Sequence, residues 1–202
     1  VYKRQTFSGV RARAIWKSLS ASISVPFIST VSDGSRTPLK AAKRLADAVI
    51  AKTPIGIFGD YDVDGAAGAA LLISVMRELG VECDVHIPDR FTEGYGPNTA
   101  ALLALKEKGA QLLVTVDCGI TAHAPLAAVA DTGIDVIVID HHIAGPELPR
   151  AHSVVNPNRL DEDGQYGYLC AAGVVFVALV LVVVCCCCGC CRCRCCRCCY
   201  PC

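Results

Sequence analysis

The pattern of apolar and polar positions predicts strands that alternate with helices through most of the chain. Short apolar runs predict strands at 55–58, 81–87, 111–116, 135–139 and 153–155. Apolar residues at helical spacing predict helices from residue 38 onward and at 66–79, 98–108 and 122–131. Strands joined through helices of this length imply right-handed crossovers between parallel neighbours. The sequence therefore predicts an α/β fold, doubly wound, with a mostly parallel sheet and helices on both faces.

Composition divides the 202 residues into three parts. Residues 1–37 show no sustained period and are predicted to be an irregular N-terminal segment, whereas 38–180 carry the α/β pattern. Residues 181–202 form a cysteine-rich tail. Because the chain starts with Val1, we expect it to be a fragment at that end, and the opening residues predict no signal peptide. The formal net charge of zero gives no electrostatic argument for a nucleic-acid partner.

Cysteine dominates the tail and is rare elsewhere. Of fifteen cysteines, twelve lie in 185–202, and only Cys83, Cys118 and Cys170 lie in the body. Three scattered cysteines are typical of a reducing compartment, so the predicted localisation is cytoplasmic. The tail has three interpretations: a metal-thiolate cluster, a membrane anchor over 169–191, or a low-complexity or frame-shifted translation, as residues 1–5 could also be. The abrupt change in composition favours the third.

Three aspartates at alternate positions follow the first predicted strand. Asp60, Asp62 and Asp64 lie within five residues, and Gly65 closes the group. One interpretation is a solvated acidic turn in which Asp64 caps the next helix. The other is a divalent-metal site, because hard cations take oxygen ligands and would offset the repulsion among the three carboxylates.

The ends of two other predicted strands decide between these interpretations. Asp117 follows the strand at 111–116, and Asp140, His141 and His142 follow the strand at 135–139. Ligands of open parallel sheets collect at the carboxyl ends of the strands, so these groups are expected to meet the acidic turn at one edge. The convergence favours a metal site. Neither a P-loop nor a dinucleotide-binding glycine motif is present.

Several short motifs in order resemble a known superfamily. DYDVDG at 60–65, VDCGI at 116–120 and DHH at 140–142 resemble the DHH phosphoesterase superfamily. Within it, DRFTEGYG at 89–96, VVNPN at 154–158 and LCAAGVVF at 169–176 resemble the RecJ-like family of exonucleases, which digest single-stranded DNA from 5′ to 3′. The resemblance covers about residues 38–179.

The resemblance implies metal-dependent hydrolysis of phosphodiesters in DNA repair and recombination. Its cofactors would be two divalent ions, manganese or magnesium, and its partner single-stranded DNA, with no small-molecule cofactor and no membrane. The implied metal ligands are Asp60, Asp62, Asp64, Asp117 and His141. The implied catalytic residues are Asp62, Asp64, Asp117, His141 and His142.

Substrate contacts are expected next to the metal ligands. The resemblance implies that His142 either contacts a substrate phosphate or supports a metal ligand from behind. Arg90 and Tyr95 are interpreted either as phosphate or base contacts or as structural residues. Cys118 invites a nucleophile hypothesis, but the adjacent Asp117 should raise its pKa and make it a poor thiolate.

The chain also departs from the family it resembles. The resemblance implies a later segment with a further metal-binding aspartate, and no such segment is found before the tail, so we expect weak activity or none. Two alternatives stay open. One is a DHH phosphoesterase acting on small substrates such as short oligonucleotides, cyclic dinucleotides or pyrophosphate. The other is a non-enzymatic protein, membrane-tethered or thiol-rich and metal-binding.

Overall fold

The structure, a computed structural model, describes residues 36–187. The predicted irregular segment up to residue 35 and the tail from 188 lie outside the described residues. The helices are α1 (Arg36–Ala51), α2 (Val63–Glu78), α3 (Thr99–Glu107), α4 (His123–Ala130) and α5 (Ala171–Cys187). The strands are β1 (Ile55–Gly59), β2 (Cys83–His86), β3 (Leu112–Val116), β4 (Asp135–Ile139) and β5 (Ser153–Val155).

All five described strands pair in parallel, in the order β2-β1-β3-β4-β5. The order reverses around β1, which lies between β2 and β3, so the chain winds outward in both directions. Central strands of such a sheet have no solvated face, and β1 and β3 are buried at every residue. The predicted α/β, doubly wound fold class is confirmed.

Alternate residues of β1, β3, β4 and β5 enter two separate cores. On one face, Ile57, Val114 and Ile137 pack with apolar residues of α1, α2 and α5. On the other face, Leu113 and Val136 pack with residues of α3 and α4. This period of two follows from the opposite directions of successive side chains in a strand. Helices therefore cover both faces of the sheet, and only its edges and ends are open.

The observed bounds of helices and strands agree best with the predicted bounds where turn residues flank an apolar run. β4 and β5 have the predicted bounds, whereas α2 begins at Val63, three residues before the predicted start at Ala66. The interpretation of Asp64 as the helix cap is wrong, because Asp62 is the N-cap and its carboxylate accepts a hydrogen bond from the backbone N–H of Gly65.

The first and last helices extend past the predicted domain boundaries. α1 begins at Arg36, and α5 continues to Cys187, seven residues into the predicted tail. Within residues 36–187, no helix is long and apolar enough to cross a membrane.

Candidate metal centre

The candidate site lies at the carboxyl edge of the sheet, where three neighbouring strands end. β1, β3 and β4 are adjacent, and their last residues are in register, Gly59 with Val116 and Val116 with Ile139. The residues that follow them are therefore brought side by side: Asp60 after Gly59, Asp117 after Val116 and Asp140 after Ile139. The predicted convergence of these chain segments is present in the structure.

Two local hydrogen bonds shape the acidic turn after β1. Asp60 is buried, and its Oδ1 accepts a 2.8 Å hydrogen bond from the backbone N–H of Tyr61. The Oδ1 of Asp62, an exposed residue, accepts a 2.9 Å bond from the N–H of Gly65. Burial and the neighbouring charge of Asp62 raise the pKa of Asp60, although the bond from Tyr61 opposes this. A cation beside the turn would relieve that repulsion.

Asp117 is the most constrained residue of the site. It is 1% exposed and has a backbone φ of 62°, a left-handed conformation that aspartate and asparagine adopt more readily than most residues. Within the described residues its Oδ1 makes no hydrogen bond, although Nε2 of His141 lies 3.2 Å away. Burial, followed by the charges of Asp64 and Asp62, raises the pKa of Asp117 to about 7. An anionic Asp117 therefore has two imidazole rings near its Oδ1, but this atom lacks the hydrogen bond that buried carboxylate oxygens normally accept.

Two groups of potential metal ligands share Asp117. Ligand atoms of Asp60, Asp62 and Asp117 lie within 4.8 Å of one another, and so do ligand atoms of Asp117, His141 and His142. Carboxylate oxygens with an imidazole nitrogen fit manganese or magnesium, with imidazole favouring manganese. The buried, unbonded Oδ1 of Asp117 is the atom that a cation between the two groups would satisfy. The residues therefore fit a divalent-metal centre.

Asp64 lies at the site but is held by another element. Its two carboxylate oxygens accept hydrogen bonds from the backbone N–H groups of Ala171 and Ala172, at 2.7 and 2.9 Å. Although burial acts to raise the pKa of Asp64, these two donors outweigh it and lower the pKa. The Oδ2 of Asp64 lies 3.7 Å from Nε2 of His141. Asp64 thus connects the first turn of α2 to the start of α5 and faces the predicted ligand His141.

The carboxylate of Asp140 holds His141 and His142 in place through hydrogen bonds. It is fully buried, and its Oδ1 accepts bonds from the backbone N–H groups of His141 and His142 at 2.7 and 3.1 Å. The same atom lies 2.7 Å from Nδ1 of His142, and Oδ2 accepts a 3.0 Å bond from the N–H of Ile120. Burial disfavours a charged His142 ring, but the Asp140 carboxylate outweighs this and raises its pKa. Because Nδ1 of His142 is held by Asp140, a hydrogen bond from this ring to a ligand would come from Nε2.

An aromatic row leads from the histidines to the loop after β2. The ring centroids of His142 and Tyr95 are 6.3 Å apart, and those of Tyr95 and Tyr61 are 6.5 Å apart, both pairs nearly perpendicular. The Arg90 guanidinium lies 5.4 Å from the centroid of the Tyr61 ring. Both predicted substrate contacts, Arg90 and Tyr95, are therefore close to the acidic turn, and both are exposed.

Cys118 has the surroundings of a structural thiol. It is 1% exposed, and its Sγ lies 3.3 Å from the backbone oxygen of Val116. Its pKa is raised well above the ordinary value, by burial first and then by the charges of Asp140, Asp60 and Asp117. The expected direction is thus correct, but burial exceeds the neighbouring carboxylates as the cause. A thiol in this state is a poor nucleophile.

Three residues that support the site were not predicted from the sequence patterns. Asp140 belongs to the DHH triplet, but no role was predicted for it, and none was predicted for Asn156 and Asn158. Nδ2 of Asn156 donates to the backbone oxygen of His142, and Nδ2 of Asn158 donates to that of His141. The only sequence signal was their presence in two motifs, DHH and VVNPN, that the resemblance had already singled out.

Gly65 is predicted to be irreplaceable in the acidic turn. A Cβ atom there would lie 2.6 to 2.8 Å from the backbone oxygen, Cβ and Cα of Asp60. Alanine normally favours a helix over glycine, but here Gly65→Ala should destabilise the chain by about 1–3 kcal/mol through overpacking. Gly145→Ala is the control, since nothing lies within 4 Å of a Cβ there. Thermal unfolding of both variants checks this, and equal midpoints would contradict the predicted clash.

Comparison with known proteins places the same residues in a defined family. A sequence model described as "DHH family, N-terminal domain" matches residues 54–183. The curated relatives include the "Single-stranded-DNA-specific exonuclease RecJ" of Bacillus subtilis, 39% identical over 137 residues. The protein of the same name from Escherichia coli is 40% identical over 142 residues. These alignments cover 68% and 70% of this chain but only 17% and 25% of the relatives, so the chain spans about a fifth of their length.

Solved structures of RecJ are also similar to this chain. A structure described as exonuclease RecJ bound to manganese superimposes with a TM-score of 0.64 at 36% identity, covering 72% of this chain and 37% of that one. RecJ from Thermus thermophilus in complex with Mn²⁺ gives a TM-score of 0.58 at 32% identity. That match covers 72% of this chain and 20% of the Thermus chain. Both superpositions thus cover almost three quarters of this chain.

Proposed function

The chain belongs to the DHH family, and from that membership we propose that it carries most of the metal centre of a phosphodiesterase acting on single-stranded DNA. The supporting observation is Asp117, a buried carboxylate in a left-handed conformation whose Oδ1 makes no hydrogen bond within the described residues. A cation would compensate the charge of such a group, and two sets of potential ligands meet at it. Two related structures contain manganese, which fits the same donor set.

Each acidic residue has a distinct proposed role. Asp60 and Asp62 would hold one ion together with Asp117, and Asp117 with His141, from the group that also includes His142, would hold the other. Asp64 faces His141 and completes the second group while remaining tied to α5. When bound, the ions supply charge neutralisation at the scissile phosphate and activation of water. The protein contributes the fixed positions of the carboxylates, set by the ends of three adjacent strands.

The residues beyond the metal ligands would hold the substrate. His142, oriented by Asp140 and with a raised pKa, can donate a hydrogen bond from Nε2 to a phosphate oxygen. Arg90 supplies a fixed positive charge, and Tyr95 supplies an exposed ring beside His142. Proteins that bind a single strand use positive charges to bind its phosphates and aromatic rings to stack on its bases. The names of the curated relatives specify single-stranded DNA, which supports this substrate class.

The proposed cellular setting is the cytoplasm, with a role in DNA repair and recombination. It rests on the few cysteines in the body and on the relatives' activity on single-stranded DNA. The proposed partner is the single strand itself.

The decisive test of substrate class is the dependence of hydrolysis on length. Wild type and Asp62→Asn are incubated with manganese and either single-stranded DNA of increasing length or a dinucleotide. We expect slow wild-type hydrolysis that prefers the longer strands and is lost in Asp62→Asn. A preference for the dinucleotide would instead support a small-substrate phosphoesterase. Hydrolysis that persists unchanged in Asp62→Asn would contradict the assigned site.

Arg90 is predicted to contribute to strand binding through phosphate. Arg90→Ala should weaken the binding of a labelled single-stranded oligonucleotide about 3- to 10-fold, uniformly across sequences, and lower the slope of log K against log salt by about 0.7. Fluorescence anisotropy over a salt series measures both quantities. Lys43→Ala, which removes an exposed cation of α1, is the control and should change neither. An unchanged salt slope in Arg90→Ala would show that Arg90 contacts no phosphate.

A further inference from the structure

The segment after β5 reaches back to the histidine pair from two positions. Asn156 is 3% exposed, and its Nδ2 donates a 2.9 Å hydrogen bond to the backbone oxygen of His142. Two residues later, Nδ2 of Asn158 donates a 2.5 Å bond to the backbone oxygen of His141. Each asparagine therefore holds the carbonyl group of a different histidine across 14 to 17 residues of sequence.

The two asparagines form one rigid unit. The backbone N–H of Asn158 donates to Oδ1 of Asn156 at 2.7 Å, and Pro157 between them has a fixed φ. Behind Asn158, the chain passes closely enough at Gly167 that a Cβ there would lie 2.6 Å from Oδ1 of Asn158. We define Asn156, Pro157 and Asn158 as the asparagine clamp.

The clamp and Asp140 hold the histidine pair from opposite sides. Asp140 accepts from the backbone N–H groups of His141 and His142, whereas the clamp donates to their carbonyl groups. A further bond, from the N–H of Asp140 to the oxygen of Val155, ties the start of the triplet to the strand that precedes the clamp. With both polar groups of each histidine bonded, the directions of the two Cα–Cβ bonds are fixed.

The fixed directions matter because His141 faces two carboxylates. Its Nε2 lies 3.2 Å from Oδ1 of Asp117 and 3.7 Å from Oδ2 of Asp64, so a small rotation of its backbone would move the nitrogen out of the ligand group. The carboxylate ligands Asp60 and Asp62 lie on a different strand end and have no bond to the clamp. Loosening the clamp should therefore weaken metal binding by the His141 imidazole more than metal binding by the carboxylates of Asp60 and Asp62.

We propose that Asn156 and Asn158 are positioning residues that, by fixing the carbonyl groups of His141 and His142, set the preference of the centre for manganese over magnesium. The inference rests on the proposed metal centre. An imidazole nitrogen is a better ligand for manganese than for magnesium, which depends more strictly on carboxylates and water. Residues that orient a metal ligand typically contribute 10- to 100-fold to metal affinity.

The test compares the dissociation constants of Mn²⁺ and Mg²⁺ for the full chain and its variants. Paramagnetic resonance of free Mn²⁺ gives the first, and competition by Mg²⁺ gives the second. In Asn158→Ala we expect about 10-fold weaker Mn²⁺ binding and less than about 3-fold weaker Mg²⁺ binding. Gly167→Ala displaces Asn158 without removing its amide, so it should shift the ratio of the Mn²⁺ and Mg²⁺ dissociation constants in the same direction. This second variant provides the test if Asn158→Ala does not fold.

Asn98→Ala is the matched control, because Asn98 caps α3 by accepting a bond from the N–H of Ala101 and makes no bond to the histidines. Its loss should cost about 1 kcal/mol of stability without changing the metal ratio. A parallel loss of both metals in Asn158→Ala and Gly167→Ala, or an unchanged ratio, would overturn the inference alone. Failure of the wild-type chain to bind either metal would overturn the proposed function and the inference with it.

Discussion

Replacing Asp117 by asparagine should abolish the stabilisation of the chain by manganese. For the wild type, Mn²⁺ at 100 times its dissociation constant should add about 2.7 kcal/mol, which raises the unfolding midpoint by roughly 5–10 °C. Asp117 is shared by both ligand groups, so the substitution removes a negative charge and one carboxylate oxygen from each. We expect a shift below about 1 °C for Asp117→Asn, measured by thermal unfolding with and without Mn²⁺.

The same variant should be more stable than wild type when metal is absent. Its amide has the shape of the carboxylate, carries no charge and tolerates the φ of 62°. Because burial raises the pKa of Asp117 from 3.8 to about 7, the wild type loses stability as the pH rises between these values and carries the full penalty above them. The gain in Asp117→Asn should therefore be on the order of 1 kcal/mol or more at pH 8 and vanish below about pH 4. A less stable variant at pH 8 would contradict the interpretation of Asp117 as a buried charge that its neighbours compensate only in part.

Asp140→Ala should be among the most destabilising substitutions at the site. Asp140 is fully buried and accepts from the backbone N–H groups of Ile120, His141 and His142, and its Oδ1 also lies beside Nδ1 of the His142 ring. Removing the carboxylate leaves these donors without a partner, which should cost about 3–5 kcal/mol and lower the unfolding midpoint by roughly 10 °C. Chemical denaturation measures the loss directly.

Asp140→Asn separates the individual bonds of that carboxylate. An asparagine oxygen in the place of Oδ1 can still accept from His141 and His142, but its NH₂ group would face the N–H of Ile120. We expect a loss smaller than that of Asp140→Ala, about 1–3 kcal/mol. Equal losses in the two variants would show that the N–H bonds of the histidine pair contribute little to stability.

The strands could be predicted closely because their signal is local. The apolar run Asp135–Ile139 ends in turn residues, and its bounds were predicted without error. The start of α2 was missed because the first turn of that helix contains Val63, Asp64 and Gly65, none of which has a strong helix propensity. The hydrogen bond from the N–H of Gly65 to Asp62 fixes that start, and residue type alone does not reveal it.

The site residues that could be predicted are those placed by the order of the parallel strands. Those that could not be predicted are held by hydrogen bonds to the backbone of distant segments. Parallel strands deliver Asp60, Asp117 and His141 to one edge, and the sequence shows where each strand ends. The attachment of Asp64 to the start of α5 depends on how two distant helices pack. The two asparagines that hold the histidine carbonyls depend likewise on the course of a loop, which has no periodic signal.

The most direct test of the metal centre is the amount of Mn²⁺ that the purified chain removes from solution, measured by paramagnetic resonance of the free ion. The wild type, Asp117→Asn and Asp131→Asn are titrated in parallel, where Asp131 is an exposed aspartate paired with Arg150 away from the site. We expect saturable binding by the wild type and by Asp131→Asn, and at least about 100-fold weaker binding by Asp117→Asn. Equal binding by all three proteins, or none by the wild type, would contradict a metal centre built around Asp117.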